Sequence, residues 1–306
     1  MDDCRGLIFD IKRYAINDGP GIRITLFMKG CPLSCVWCHN PEGIAPGKEK
    51  LYTRKKCIGC RTCVDACPRE ALRLTETGIV TDPALCVVCG KCAEVCPTLA
   101  MEVSGKNYSV DALMREIEKE TVFMDRSEGG VTFCGGEPLM HPDLLLALLK
   151  RCGAAGIHRA VDTTLFARPE IVREVTEHTD LFLVDLKLMD SAKHRLFCSV
   201  PNERILSNLR LVAEAGKDFF IRIPLIEGIN ADEENLWRSA SFLAELPWRR
   251  KTVHLLLYHD IGKGKHEKLG SRYNPEAFPM ATPSLQTQER AVAIFREQGI
   301  EAVIGG

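Results

Sequence analysis

No run of the 306-residue sequence is long and apolar enough to span a bilayer, and neither sign of charge is in excess. With 40 basic side chains against 41 acidic ones, the net charge is -1. That balance leaves no electrostatic footprint for nucleic acid or an anionic lipid surface, so the expectation is no nucleic-acid partner and no membrane. The opening MDDCRGLIFDIKR also lacks the basic start, apolar middle and small-residue cleavage site of a secretory signal, which points to a cytoplasmic chain. Disorder is disfavoured as well, because 45% hydrophobic residues can fill the core of one large α/β domain or two smaller ones.

What the sequence has in quantity is cysteine, 15 in all. Disulfides do not persist in a reducing compartment, so this number points to metal or catalytic chemistry. Eight cysteines fall in two matching runs, Cys57-x2-Cys60-x2-Cys63-x3-Cys67-Pro68 and Cys86-x2-Cys89-x2-Cys92-x3-Cys96-Pro97. This is the spacing of bacterial two-cluster ferredoxins, in which the fourth cysteine of each run serves the other cluster. One cluster is then expected on Cys57, Cys60, Cys63 and Cys96, and the other on Cys86, Cys89, Cys92 and Cys67. A pair of zinc knuckles or a degenerate insert without metal is the competing reading, but four-ligand zinc sites give no reason for the duplicated run ending in proline. Residues 49–104 thus read as a ferredoxin-like insert with two [4Fe–4S] clusters, too small for a conventional core.

The flanking segments, 1–48 and 105–306, alternate apolar runs with amphipathic ones. Strands are expected at Gly21–Gly30, Gly130–Gly135, Arg159–Thr163, Leu181–Leu188, Phe219–Leu225 and Val253–Tyr258. Helices are expected at Val110–Thr121, Pro142–Ala155, Pro169–His178, Asn202–Ala215, Asp232–Leu246 and Ser284–Gln298. Six β-then-α units imply an α/β fold, a partial (β/α)6 barrel of parallel strands. Ligands of such folds bind at the carboxyl ends of the strands. There the sequence places a three-cysteine loop, Gly135-Gly136-Glu137-Pro138, Asp162-Thr163-Thr164, Asp185-Leu186-Lys187, Arg222 and His259.

The loop Cys31-x3-Cys35-x-Trp37-Cys38 offers three thiolates to a four-iron cluster and leaves one iron open to a chelating ligand. It resembles the signature of the radical S-adenosylmethionine superfamily. Asp18-Gly-Pro-Gly-Ile-Arg23, Phe27-Met-Lys-Gly-Cys-Pro-Leu33, Trp37-Cys-His-Asn-Pro-Glu42, the insert, Asp185-Leu186-Lys187, Arg222-Ile-Pro224, Gly228-Ile-Asn230 and Tyr258-His259 extend the likeness. Together they resemble the activating enzymes of glycyl radical enzymes, in the subgroup with a two-cluster ferredoxin insert.

That resemblance implies three [4Fe–4S] clusters, S-adenosylmethionine as co-substrate, a glycyl radical enzyme as partner and a flavodoxin- or ferredoxin-type electron donor. By the same resemblance Cys31, Cys35 and Cys38 hold the catalytic cluster, and Trp37, Cys38 and His39 flank the adenine. Gly135, Gly136 and Glu137 receive the methionine amino group and Lys187 its carboxylate. Asp162, Thr163 and Asp185 hold a monovalent cation, while Arg222 and His259 line the adenosyl portion. No acid–base dyad or Ser-His-Asp triad is needed, because the cofactor carries the hard chemistry.

Two departures stand out. Leu165 occupies a position where relatives usually have glycine, and Cys198-Ser199-Val200 stands where they often have threonine-glycine-valine. Cys4, Cys152 and Cys198 read as small buried hydrophobes, and for Cys134, one residue before Gly135, core packing is favoured over a place near the adenosyl site. Two alternatives stay open: radical chemistry on a small molecule or another peptide, and an electron-transfer protein whose barrel is only a scaffold.

Overall fold

The structure, a computed structural model, describes residues 4–305; residues 1–3 and 306 of the expected barrel domain lie outside this range. The strands are β1 (Arg5–Ala15), β2 (Arg23–Met28), β3 (Glu49–Tyr52), β4 (Leu72–Thr75), β5 (Gly78–Thr81), β6 (Met101–Ser104), β7 (Lys106–Ser109), β8 (Gly130–Gly135), β9 (His158–Thr163), β10 (Leu181–Asp185), β11 (Asp218–Leu225), β12 (Thr252–Leu257) and β13 (Glu301–Ile304). The α-helices are α1 (Thr62–Asp65), α2 (Lys91–Glu94), α3 (Val110–Glu118), α4 (Thr121–Ser127), α5 (Pro142–Ala154), α6 (Pro169–His178), α7 (Ser191–Cys198), α8 (Glu203–Glu214), α9 (Glu233–Ala244), α10 (Gly262–Leu269) and α11 (Leu285–Glu297).

Nine strands form the main sheet in the order β13-β12-β11-β10-β9-β8-β2-β1-β7. From β2 to β13 all neighbours run parallel, and β1 and β7 close one edge antiparallel. All six expected strands are present, most of their ends within one residue of expectation; the first is trimmed by two residues at each end and the fourth by three at its carboxyl end. The strand expected over 181–188 stops at Asp185, so Lys187 stands on the loop beyond it. β1, β7 and β13 were not anticipated. β1 is an edge-side ribbon with two irregularities in its ladder, and β13 is only four residues long, so neither offers the long apolar run of the central strands. Among the described residues no ladder joins β13 to β7; the sheet is open.

From β8 onward each crossover moves one strand in the same direction. The helices follow, with α3 against α5, α5 against α6, α6 against α8 and α9 against α11, so contacting helices share one face. The main core lies between them and the sheet: Leu145, Leu148, Leu149, Val172, Leu209 and Phe295 pack against Leu26, Phe133, Val161, Phe182, Ile221 and Leu255. At about 25 cal/mol per Å2 of apolar surface removed from water, this layer is the dominant stabilising term. Helix starts are fixed locally. Ser109 accepts a hydrogen bond from the Ala112 amide as the cap of α3, and Pro142 and Pro169 open α5 and α6. Among the described residues no helix is long and apolar enough to cross a membrane.

Residues 49–104 leave the sheet between β2 and β7. They form an antiparallel pair β3–β6, a hairpin β4–β5, and the one-turn helices α1 and α2 at matching places in the two cysteine runs. Their buried core is Cys63, Leu72, Ile79 and Met101, with cysteines packed around it.

Candidate active site

A cavity of about 690 Å3 opens at the carboxyl ends of the parallel strands. Its wall includes Cys31, Cys35, Trp37, Cys38 and His39 from the loop after β2, Gly135 at the end of β8 and Gly136 just beyond it. Asp162 and Thr163 of β9, Asp185 and Lys187 at the end of β10, Arg222 of β11 and His259 after β12 complete the set read from the sequence. Two expected residues lie behind the wall: Glu137, fully buried, and Leu186, whose amide donates to the Arg222 carbonyl at 3.0 Å.

The double glycine is required by close approach. The amide of Gly136 donates to the Met28 carbonyl at 2.8 Å, and that of Glu137 to the Gly30 carbonyl at 2.7 Å. A Cβ on Gly136 would stand 2.2 Å from the Gly30 carbonyl oxygen, so a side chain there would push the cysteine loop away. Glu137 then acts inward. Its carboxylate accepts from the Leu139 amide (3.1 Å), the Thr163 hydroxyl (2.6 Å), and the Thr164 amide and hydroxyl (2.8 and 2.6 Å). These four donors saturate it, so Glu137 ties the end of β9 to the end of β8 rather than offering a free oxygen to an amino group.

Two carboxylates and two cations balance at the cavity floor. Arg222 donates from Nε and Nη2 to Asp185 Oδ1 at 3.2 and 3.1 Å, and from Nη2 to Asp162 Oδ1. Lys187 Nζ donates to Asp185 Oδ2 at 2.9 Å. Burial alone would raise the Asp185 carboxyl, but Lys187 and Arg222 hold it down at about 2. Burial would likewise lower Lys187, and Asp185 together with the nearby cysteine sulfurs outweighs it, so the ammonium stays charged. The trio expected to hold a monovalent cation is not assembled. Asp162 and Asp185 share Arg222, and the Thr163 hydroxyl is turned toward Glu137.

The rings of His39 and His259 stack at 4.2 Å, 14° from parallel. His39 Nε2 lies 2.9 Å from the His259 carbonyl, which can only accept, so that nitrogen carries the proton. Burial lowers the His39 pKa, favouring the neutral ring. Asn40 and Glu42 do not reach the cavity floor as a pair; both hold Lys265 of α10, at 2.7 and 2.8 Å. Gly262 of α10 lies so near the Cys38 carbonyl that a Cβ would stand 2.6 Å from it. Helix α10 is therefore strapped over the cysteine loop.

Sequence reasoning missed Asp10, Lys12 and Lys265. For Cys134 it favoured core packing over a place near the adenosyl site; the structure sets it on the cavity, its thiol donating to Asp162 Oδ2 at 3.0 Å. Burial and the Asp162 charge push that thiol well up, so it stays protonated. Cys198 and Cys152 are buried as expected, and the Cys198 thiol donates to Cys35. Asp10 and Lys12 sit two apart on β1, a spacing that puts them on one face of a strand and that could have revealed it.

Two smaller cavities lie in the insert. One is bordered by Cys67, Cys86, Cys89 and Cys92, the other by Cys57, Cys60, Cys63 and Cys96. These are the two crossed ligand sets read from the repeat. Among the described residues no group of three or more cysteine, histidine or carboxylate side chains is placed to hold a metal ion.

Comparison with known proteins agrees with this geometry. The profile of the Radical SAM superfamily matches residues 25–240. The trans-4-hydroxy-L-proline dehydratase activating enzyme of Clostridioides difficile is 42% identical over 301 residues, 98% of this chain and 99% of that one. This chain belongs to the radical SAM activating enzymes of glycyl radical enzymes. The choline trimethylamine-lyase activating enzyme of Oleidesulfovibrio alaskensis is another relative, 38% identical over 97% of both chains. Among solved structures, a domain of a pyruvate-formate lyase-activating enzyme from Bacteroides vulgatus is 53% identical, with a TM-score of 0.50, over 58% of this chain and 99% of that one. A radical SAM activating enzyme uses S-adenosylmethionine and a [4Fe–4S] cluster. Cys31, Cys35 and Cys38, all bordering one cavity, fit three irons of that cluster.

Proposed function

We propose that this chain activates a partner glycyl radical enzyme. S-adenosylmethionine takes one electron and is cleaved to methionine and a 5'-deoxyadenosyl radical, which removes a hydrogen atom from one glycine Cα of the partner to leave 5'-deoxyadenosine and a glycyl radical. The observation that carries this reading is the single cavity that gathers the three-cysteine loop, the double glycine and the Asp185–Lys187–Arg222 charges.

Cys31, Cys35 and Cys38 would hold the catalytic cluster, which would supply the electron and a binding position for methionine. The backbone of Gly135 and Gly136 receives the amino group. Glu137 is a positioning residue that keeps the ends of β8 and β9 together. Lys187 pairs with the carboxylate as a charge-assisted contact. Arg222 supplies, between Asp162 and Asp185, the positive charge expected of a monovalent cation. Trp37, Cys38, His39 and His259 border the adenine, with the histidine stack parting to admit it.

Residues 105–306 and the segment before 49 form a partial barrel in this reading. The one-way strand order and the helices sharing one face support it, since that arrangement leaves the other face free to curl round the cavity. Residues 49–104 are the ferredoxin-like insert. Its two four-cysteine cavities support two further [4Fe–4S] clusters, three in all, fed by a flavodoxin- or ferredoxin-type donor in the cytoplasm. The partner is a glycyl radical enzyme of the kind the relatives' names describe.

The test is anaerobic. Reconstituted protein, a low-potential reductant and S-adenosylmethionine are incubated and assayed for 5'-deoxyadenosine. Formation well above a Cys31→Ala control is expected; equality with that control would overturn the reading.

A further inference from the structure

The insert is built outward from the main body along β3 and β6. Glu49, at the start of β3, pairs at 2.8 Å with Lys29, a lysine with no exposed side-chain surface. Lys50, the next residue, borders the cavity of Cys67, Cys86, Cys89 and Cys92, and Tyr52 borders that of Cys57, Cys60, Cys63 and Cys96. An extended strand advances about 3.3 Å per residue, so the two cavities lie in succession. The antiparallel partner gives the same order: Met101 borders the far cavity and Val103 the near one, and Gly105 lies against Lys29. The cavity of Cys57, Cys60, Cys63 and Cys96 is therefore the outer one.

The two repeats also differ in charge. The outer loop carries Arg54, Lys55, Lys56 and Arg61, all exposed, with no acid from 53 to 63. The corresponding stretch of the other repeat, 82–92, holds Asp82 and Lys91, and Lys91 is neutralised by Glu94 at 2.9 Å. Lys55, Lys56 and Arg61 make no ion pair among the described residues. At the tip Ile58 is 68% exposed, Cys60 is exposed, and nothing lies within 4 Å of where a Cβ on Gly59 would sit. An apolar contact point ringed by unpaired cations beside an exposed thiol suits an acidic protein surface, whose approach it would steer and orient.

The geometry points to this outer loop as the docking surface for an acidic one-electron carrier protein, with the Cys57–Cys60–Cys63–Cys96 cluster the first to be reduced. The inference rests on the assignment of the eight cysteines to two clusters. The step balances simply: the carrier loses one electron, the oxidised outer cluster gains it, and no atom or proton is transferred.

The experiment uses the full, reconstituted chain and a reduced acidic flavodoxin as the probe. Affinity is measured by anaerobic calorimetry, and cluster reduction by stopped-flow bleaching. For the unaltered chain, both are expected to weaken at least about tenfold from about 50 to about 500 mM salt, as screened charge pairs require. K55E/K56E should lower both about tenfold or more at low salt, with iron content and bleaching by a photoreduced deazaflavin unchanged. K91E, in the other repeat, should change neither. Unaltered flavodoxin affinity and rate in K55E/K56E would overturn the proposal, as would an equal loss in K91E. Should K55E/K56E lose iron, K55Q/K56Q is read in its place by the same criteria. Deazaflavin-driven 5'-deoxyadenosine formation reads the parent function separately: its absence overturns that function, whereas its presence with unaltered carrier binding in K55E/K56E overturns only the docking surface.

Discussion

Glu137 and Leu165 show how single residues hold this site from behind. Glu137 is buried with four donors aimed at it. Glu137→Gln keeps the shape but turns an amide NH2 toward donors, leaving at least one unsatisfied at about 1–3 kcal/mol. Urea unfolding of the cluster-free protein should show that loss. Leu165 stands in the left-handed region, at φ 61°, with its side chain wholly buried. Left-handed backbone costs a leucine about 1–2 kcal/mol, whereas deleting a buried leucine side chain costs about 2–5. Packing wins, so Leu165→Gly should destabilise by about 1–3 kcal/mol in the same measurement despite relieving the backbone. The sequence flagged Leu165 as a departure but could not say which effect dominates, because that depends on the core closing around it. Ser199, at the end of α7, also stands in the left-handed region, at φ 71°, but it is exposed and has no such packing to offset the strain.

At the scale of elements, the central parallel strands and the long helices were legible because they are buried on a regular period. β1, β7 and β13 were not: β7 and β13 are four-residue edge strands, and β1, though 11 residues long, is half-exposed along an irregular ladder. Helix α10 was invisible for another reason. GKGKHEKL has no apolar stripe, and its anchors are Lys265 on Asn40 and Glu42. Strand β9 is tied to the loop before β10 by Asp180, which accepts from the Arg159 amide (2.8 Å), Nε (2.8 Å) and Nη2 (2.6 Å). Burial opposes ionisation there, but these bonds outweigh it and hold the carboxyl below its ordinary value. A depressed carboxylate stabilises the fold above its unfolded pKa, near 3.8, and that stabilisation fades as pH falls through the folded value. Asp180→Asn should therefore cost about 1–2 kcal/mol at pH 7, with the two melting curves converging as pH is lowered below about 4.

At the scale of the whole molecule, the cysteine code was the most legible feature. Cluster ligation depends on thiolates at fixed short spacings, and the crossed sets read from the repeat are the sets that border the two insert cavities. The strand-end residues were legible for a related reason, since a parallel sheet brings its carboxyl ends to one mouth. What the linear chain could not reveal is the cross-chain pairing there: Arg222 between two aspartates, and the Cys134 thiol on Asp162. The three clusters proposed above would give about 12 irons per chain, and on that reading Cys31→Ala/Cys35→Ala/Cys38→Ala should retain about 8 by iron analysis. Retention of about 12 would place the catalytic cluster elsewhere. The central claim, that the radical generated in this cavity reaches a partner's glycine, is read most directly by electron paramagnetic resonance. The loaded protein, S-adenosylmethionine and a reductant are mixed anaerobically with a candidate partner glycyl radical enzyme. A glycyl radical signal that changes when the partner carries α-deuterated glycine, and that is absent with Cys31→Ala, is the predicted result; 5'-deoxyadenosine accumulating with no glycyl signal would contradict the account.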